Sequence, residues 1–368
     1  MHRVIALILL VSINTLTKAE NNASDSIKSK SIAINLYSGI LQHHHREMEI
    51  LREKRVFALE ITHLFTGNGS KQWHSFYGFP QFGVSYKFID LGSPNILGYA
   101  HCLYPFVNFP IQTHMPKWNA IFKVGPGLGY VTKTYHRTDN FKNSAISTHL
   151  NAYINFGFMA AYKLSSNLTL HAGINLSHFS NGTVKKPNSG LNYTMINLGG
   201  KYSYQSQTTN NKQHYTFSDK KNRLLLAGIG SQKEIKGAGG PKYGVKSFSI
   251  EYSRAFRTLL RYGVSLDIMD DKSNEFILDY EEVAWDNESE LLKIGTAASA
   301  EFILNRVSAI LYFGGYIYNK ANDSNDGYVY QRLGIRYRFT NRFYGHLALK
   351  THWGSADYLE IGGAIKLY

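Results

Sequence analysis

Apolar and polar residues alternate along most of this chain, in segments separated by polar connections that often contain glycine. Alternation with a period of two is typical of β-strands with one apolar and one polar face. Many segments reach about ten residues, the length that a tilted strand needs to cross a bilayer. The segments predicted as strands are 31–41, 56–65, 81–91, 95–111, 118–135, 146–165, 168–180, 190–204, 223–235, 243–257, 259–270, 293–305, 307–319, 328–341, 343–353 and 357–368.

These segments predict an all-β fold, a closed antiparallel outer-membrane β-barrel of about 14 strands. The range is roughly 12–16 strands, because short candidate segments can merge into one strand. Closure explains how so many strands avoid exposed edges. The connections after even-numbered segments are very tight, as at 165–167 and 340–342, whereas those after odd-numbered segments are longer and polar, as at 181–189. Outer-membrane barrels show this asymmetry between short turns and long loops. Segments 66–80 and 205–222 break the pattern.

The N-terminus predicts export. Residues 1–19 have a charged start, a short apolar run and the small-residue cleavage pattern Thr17-Lys18-Ala19, as in a signal peptide. Residues 20–30 are polar and are expected to be disordered, which leaves 31–368 for the transmembrane barrel. An exported chain rich in strands is either a soluble β-protein or a barrel in the outer membrane of a Gram-negative bacterium.

Composition and charge narrow the choice of partner. The chain has 26 Tyr, 21 Phe and 32 Gly, which suits pleated strands joined by tight turns. Its net charge of +14 is spread along the sequence rather than gathered in a nucleic-acid module, so an anionic lipid surface is favoured over nucleic acid. With the single cysteine Cys102, no intramolecular disulfide can form. The acidic loop 271–292 does not have EF-hand spacing, and we expect no metal or other cofactor.

One polar cluster at the end of an apolar stripe carries candidate chemistry. In segment 168–180 the even-numbered residues are apolar up to Leu176, and the same face continues into His178 and Ser180. The apolar face of a membrane barrel meets lipid, so both side chains should point outward. Antiparallel pairing across a 181–189 loop places Asn192 opposite His178.

A serine hydroxyl becomes a nucleophile when an imidazole takes its proton, and a third group must orient that imidazole. Ser180, His178 and Asn192 fit these three roles, and Asn181 and Asn188 in the loop could supply donors to an oxyanion. The alternative is a polar cluster without catalytic function, placed at a strand end where water is near.

Two neighbouring motifs resemble the signature of the PagL-type lipid A 3-O-deacylases, also called acyloxyacyl hydrolases. They are His178-Phe179-Ser180-Asn181-Gly182 and Pro187-Asn188-Ser189-Gly190-Leu191-Asn192. Similar residues lie upstream, and they are Ser38-Gly39-Ile40, His43 to His45, Trp73, Tyr77, Pro80, Gly83-Val84-Ser85-Tyr86 and Leu128-Gly129-Tyr130. The resemblance covers approximately residues 36–205, and the remainder resembles only a barrel in general.

The resemblance implies a barrel enzyme that hydrolyses the ester at position 3 of lipid A without a metal. It matches Ser180 to the nucleophile, His178 to the base, and Asn181 and Asn188 to the oxyanion-hole asparagines. The family's acidic third member falls on Asn192, which is a departure. An asparagine can orient a histidine, but it cannot place a full negative charge beside an imidazolium.

Two functions of different classes follow. The first is an outer-membrane ester hydrolase that removes a 3-O-linked acyl chain from lipid A of lipopolysaccharide, with Lys185 and Lys186 as candidate contacts to a lipid A phosphate. The second is a non-catalytic barrel, a porin or structural protein, that has lost the acidic triad member. Pore residues should face inward, so the orientation of His178 and Ser180 distinguishes the two. The sequence leaves the oligomeric state open.

Overall fold

The computed structural model describes residues 27–43, 45–206, 221–235, 237–321 and 327–368. The predicted signal peptide at 1–19 and most of segment 20–30 lie outside the described residues. Residues 27–30 differ from the expected disorder, since they form the start of the first strand. Ser29 there is aligned with Thr66 on one side and Ser206 on the other, so pairing with two neighbours extends this strand.

The N-terminal half of the described chain forms a closed antiparallel barrel of eight strands, called here the N-barrel. Each strand pairs with the next in sequence, and the first pairs with the eighth to close the sheet. The strands are β1 Ile27–Gln42, β2 Val56–Gly67, β3 Gln81–Asp90, β4 Tyr99–Gln112, β5 Trp118–Val131, β6 Leu150–Lys163, β7 Leu168–Ser180 and β8 Leu191–Ser206.

The C-terminal half forms a second closed antiparallel barrel of eight strands, called here the C-barrel. It closes where its first strand pairs with its last. The strands are β9 Asn222–Glu234, β10 Lys242–Arg257, β11 Leu260–Asp271, β12 Leu292–Leu304, β13 Val307–Asn319, β14 Val329–Arg338, β15 Phe343–His352 and β16 Ser355–Lys366.

The all-β fold and its closed antiparallel architecture are therefore confirmed. Each of the sixteen segments predicted as strands overlaps one of the described strands. The division differs from the expected single barrel over 31–368, because the strands close as two barrels of eight. The strands that close the two sheets, β8 on β1 and β16 on β9, are remote in sequence from their partners. One large barrel and two small ones need the same alternation of side chains, so the pattern does not distinguish them.

Short helices lie in three of the described connections. The helix α1, Gln72–Phe76, joins β2 to β3, and α2, Ser273–Tyr280, follows β11. Two 3₁₀ turns cover Arg46–Leu51 and Glu288–Leu291. None of the helices in the described part of the chain is long and apolar enough to cross a membrane.

The long connections of both barrels lie at the same end of the molecule. They follow odd-numbered strands, as at 132–149, 181–190 and 272–291. Within each barrel the even-numbered strands end in tight turns, apart from the one that carries α1. At the short-turn end, the Tyr77 hydroxyl donates to the Leu259 carbonyl of the other barrel at 3.3 Å. At the long-loop end, the Glu234 amide donates to the Thr183 carbonyl at 2.9 Å. The two barrels therefore stand side by side in the same orientation.

Polar and charged side chains fill both barrels. In the N-barrel, Lys123 Nζ lies 2.6 Å from Glu60 Oε1, and Lys87 Nζ donates to Asn175 Oδ1 at 3.0 Å. In the C-barrel the buried ion pairs include Arg332 with Asp267 and Glu360, Lys350 with Asp357, and Lys233 with Asp271 and Asp357. An eight-stranded barrel has an interior just wide enough for side chains. Both interiors are thus packed cores.

Candidate active site

Strand β7 presents alternate residues to opposite sides of the N-barrel wall. Ile174 and Leu176 are half or more exposed, whereas Asn175, Ser177 and Phe179 are buried inside the barrel. His178 follows Leu176 on the exposed face by the same alternation. Ser180 shares this face but is only 4 % exposed, because the turn that follows it folds over the hydroxyl.

His178 and Asn192 lie directly opposite each other in the pairing of β7 with β8, as the sequence predicted. Their side chains meet, with His178 Nδ1 2.6 Å from Asn192 Oδ1. An amide oxygen can only accept a hydrogen bond, so Nδ1 carries the proton and donates. In the neutral ring this leaves Nε2 without a proton. That is the tautomer a general base needs if Nε2 is to receive a proton from serine.

Two N–H donors from the loop converge on the Ser180 hydroxyl. Asn188 Nδ2 donates to Ser180 Oγ at 2.9 Å, and the backbone amide of Gly182 donates to the same oxygen at 3.1 Å. Asn188 is itself held from the other side, because the backbone amide of Asn181 donates to its Oδ1 at 3.1 Å. Donors fixed this close to a nucleophile are well placed to bind negative charge that develops on an adjacent carbonyl oxygen.

Asn181 contributes differently from the expectation. Its side-chain Nδ2 donates to the Lys185 carbonyl at 2.8 Å and to Ser147 Oγ at 3.1 Å, so it ties the loop together and does not point at Ser180. Ser147 also donates to the Lys185 carbonyl at 2.7 Å. The 132–149 loop thereby braces the 181–190 loop, and only the backbone amide of Asn181 acts next to the proposed oxyanion site.

The two lysines flank the candidate site at the long-loop end. Lys185 is exposed, and Lys186 beside it is partly exposed. The Lys185 carbonyl accepts hydrogen bonds from Ser147 Oγ and Asn181 Nδ2.

Two glycines of the site were not singled out from the sequence. Gly182 supplies the second donor to Ser180, and its φ of 63° is in the left-handed region. Gly190, with a φ of 76°, lies against His178, where a Cβ would come 3.0 Å from the ring Cε1. Both stand in the motifs that carried the resemblance, but a glycine's role depends on backbone geometry that the motif alone does not give.

Comparison with protein families gives two matches. The description "Lipid A 3-O-deacylase (PagL)" matches residues 58–201, and "Acyloxyacyl hydrolase, C-terminal domain" matches residues 222–367. The chain belongs to the PagL lipid A 3-O-deacylase family. The two matches cover most of the chain. The first lies within the N-barrel, from β2 to β8, and the second spans the C-barrel. The second corrects the reading of residues beyond 205 as barrel in general, since that part has a family description of its own.

Comparison with curated proteins found no match. Among solved structures, Neisserial surface protein A is 10 % identical with a TM-score of 0.33, covering 48 % of this chain and 97 % of its own. A triple mutant of Rhodopseudomonas blastica porin is 8 % identical with a TM-score of 0.17, covering 92 % of this chain and 99 % of its own. CdiB from Acinetobacter baumannii is 8 % identical with a TM-score of 0.20, covering 93 % of this chain and 60 % of its own. Likenesses this weak carry no argument about function.

Proposed function

We propose that this protein is an outer-membrane ester hydrolase that removes the 3-O-linked acyl chain from lipid A, with Ser180 as nucleophile and His178 as base. Family membership supports a lipid A deacylase. The observation that carries the assignment to these residues is the 2.6 Å bond between His178 and Asn192, next to a serine hydroxyl that receives two N–H donors.

The outer surface of the N-barrel supports placement in a membrane. Leu36, Ile196 and Leu198 point away from the barrel and are 63–67 % exposed, although they are large and apolar. Such a band is costly in water and favourable against acyl chains. In outer-membrane barrels the longer loops are extracellular. The candidate site at the long-loop end would then lie at the outer leaflet, where lipopolysaccharide is found.

In the first half of the proposed reaction, Ser180 Oγ attacks the ester carbonyl carbon of lipid A, and His178 Nε2 takes the hydroxyl proton. The carbonyl oxygen becomes an oxyanion, which the Gly182 amide and Asn188 Nδ2 would stabilise by hydrogen bonds. Asn192 keeps Nδ1 protonated and the ring in place. The carbon–oxygen ester bond then breaks, and the imidazolium returns its proton to the leaving hydroxyl at position 3 of the sugar.

In the second half, water attacks the acyl-serine. His178 takes a proton from that water, and the second tetrahedral species collapses to a free fatty acid with Ser180 regenerated. The chemistry needs no redox partner, because the net change is the hydrolysis of one ester bond. Lys185 and Lys186 are proposed to hold a lipid A phosphate at the rim of the site, where exposed ammonium groups can meet an anionic headgroup.

The competing porin function requires a water-filled lumen. The sequence allowed one for a barrel of about 14 strands. Barrels of eight strands filled by buried charged pairs do not favour that function. Residues that line a pore must point into the barrel. His178 and Ser180 lie on the outward face of β7, which also argues against a porin.

The test is the mass of lipid A from cells that express the wild-type protein, Ser180→Ala or His178→Ala. We expect wild type to remove the mass of one hydroxyacyl chain and both variants to leave lipid A intact, since triad members act as a unit. Heat-modifiable migration on gels confirms that each variant is folded. Lipid A trimmed equally by wild type and Ser180→Ala would assign the chemistry elsewhere, and intact lipid A in all samples would favour a non-catalytic barrel.

A further inference from the structure

The seam that closes the C-barrel is paired over only part of its length. Strands β9 and β16 are aligned from Leu225 with Lys366 up to Gly230 with Ile361. Beyond this, β9 continues to Glu234 and β16 begins at Ser355, so both strands extend past their shared ladder towards the long-loop end. Unpaired backbone groups at such an edge need partners from elsewhere when they are buried.

Next to the ladder, Ser231 Oγ of β9 donates to the Leu359 carbonyl of β16 at 2.7 Å. Further along, a turn of the N-barrel supplies partners. Thr183 accepts a hydrogen bond on its carbonyl from the Glu234 amide at 2.9 Å. Its Oγ1, which also lies 2.8 Å from the Gly182 carbonyl, donates to the Asp357 carbonyl. One residue of the first barrel thus bonds to β9 on one side and to β16 on the other. Thr183 is 7 % exposed, so these bonds are shielded from water.

The same turn is the one that reaches the candidate nucleophile. Gly182, the residue before Thr183, donates its amide to Ser180 Oγ at 3.1 Å. On its other side Gly182 lies against the outer face of the C-barrel, where a Cβ would come 3.1 Å from Leu359 Cβ and 3.5 Å from Leu349 Cδ1. The oxyanion donor is therefore held between the nucleophile and the second barrel.

The Val184 amide closes this turn by donating to the Asn181 carbonyl at 3.5 Å. The second central residue of the turn is Thr183. Its φ of 62° lies in the left-handed region, which β-branched residues rarely adopt. Such a conformation persists where the surrounding contacts over-determine it. The two bonds to the C-barrel are contacts of that kind, and no N-barrel strand runs through the turn.

We propose that Thr183 is a positioning residue for the hydrolase site, and that the C-barrel completes the site by clamping the Gly182–Thr183 turn in its open seam. This inference rests on the proposed function for its kinetic consequence. The clamp sets the position of the Gly182 amide, which acts on the transition state more than on the bound substrate. The second barrel would thus serve catalysis without contributing a group that touches the substrate.

The test compares two substitutions at the clamp with a matched control. Thr183→Val keeps the branched shape and removes the hydroxyl, whereas Thr183→Ser keeps the hydroxyl. Thr296→Val removes a similar bond, from Thr296 Oγ1 to the Ser265 carbonyl at 2.9 Å, on the C-barrel. We expect Thr183→Val to lower kcat roughly 10- to 100-fold with KM within about twofold, as for a small misplacement of a catalytic group. Thr183→Ser should restore most of the rate, and Thr296→Val should match wild type.

Hydrogen exchange of the 181–184 backbone, measured on the same folded proteins, tests the clamp without reference to hydrolysis. We expect slow exchange in wild type, Thr183→Ser and Thr296→Val, and at least about tenfold faster exchange in Thr183→Val. Unchanged exchange in Thr183→Val would overturn the clamp. Faster exchange with an unchanged kcat would overturn its role in positioning. A wild-type protein that shows the exchange pattern but no hydrolysis would keep the clamp and refute the proposed function.

Discussion

The residue that departs from the family pattern, Asn192, gives the sharpest test of how His178 is oriented. Aspartate has nearly the same shape as asparagine, so Asn192→Asp should keep the 2.6 Å contact with His178 Nδ1 and add a negative charge. Asn192→Ala removes the contact and leaves Nδ1–H without that acceptor. The pair of variants therefore separates orientation, which both polar residues provide, from charge, which only the carboxylate provides.

The magnitudes follow from the geometry. A neutral hydrogen bond contributes about 1 kcal/mol and one to a charged group about 1.5–3 kcal/mol. The imidazolium that forms in the transition state would gain roughly 1 kcal/mol from Asn192→Asp, which is about a fivefold rise in kcat. Leaving a half-buried donor unsatisfied costs about 1–3 kcal/mol. Asn192→Ala should accordingly lower kcat roughly 10- to 100-fold.

The assay is the initial rate of fatty-acid release from purified lipid A in detergent, with kcat and KM determined for each variant. Thr194→Ala is the matched control, because Thr194 lies two residues further along the same face of β8. A wild-type rate in Asn192→Ala would remove Asn192 from the site. A rate in Asn192→Asp more than about tenfold below wild type would refute the electrostatic reasoning, since charge and shape both favour that variant.

Three further predictions concern groups around the site and a distant loop. Asn188→Ala removes the side-chain donor to Ser180 Oγ and should lower kcat by about 10²–10³, with KM little changed, in the same assay. Gly190→Ala should lower kcat at least about tenfold, because a Cβ would press on the His178 ring at 3.0 Å and the φ of 76° disfavours alanine. Burial and the charge of Lys71 lower the pKa of His74 from 6.5 to about 4. His74 therefore binds a proton less readily in the folded loop than in the unfolded loop. The stabilisation of the 68–80 connection is complete above about pH 6.5 and is lost as the pH falls towards about 4. Faster hydrogen exchange of this connection at low pH would show the loss.

Each of these has an outcome that contradicts it. Full activity in Asn188→Ala would move the oxyanion donors elsewhere, and full activity in Gly190→Ala would mean that the His178 ring can shift without loss. His74→Gln removes the titrating group, so its loop exchange should lack the step between about pH 6.5 and pH 4 that wild type shows. The same step in both proteins would assign the pH dependence to another group.

The sequence by itself determined the strands and the local order of the candidate site. Alternation with a period of two marks where each strand runs and which side chains share a face, because neighbouring Cβ atoms in a strand point to opposite sides. The parity of His178 and Ser180 and the pairing of His178 with Asn192 depend only on that alternation and on the length of one loop. Short-range rules are sufficient for contacts of this kind.

Tertiary structure decided what depends on contacts between remote segments. Whether β8 closes on β1 or continues into a larger sheet is a choice between strand edges with the same alternation, so the two barrels were not evident from the pattern. The side chain of Asn181 bonds to the Lys185 carbonyl and not to Ser180, because Ser147 of the 132–149 loop contacts it on that side. Strand β16 reaches Thr183 across 174 residues of sequence. No local signal encodes such a contact, since it exists only once both barrels have closed and packed side by side.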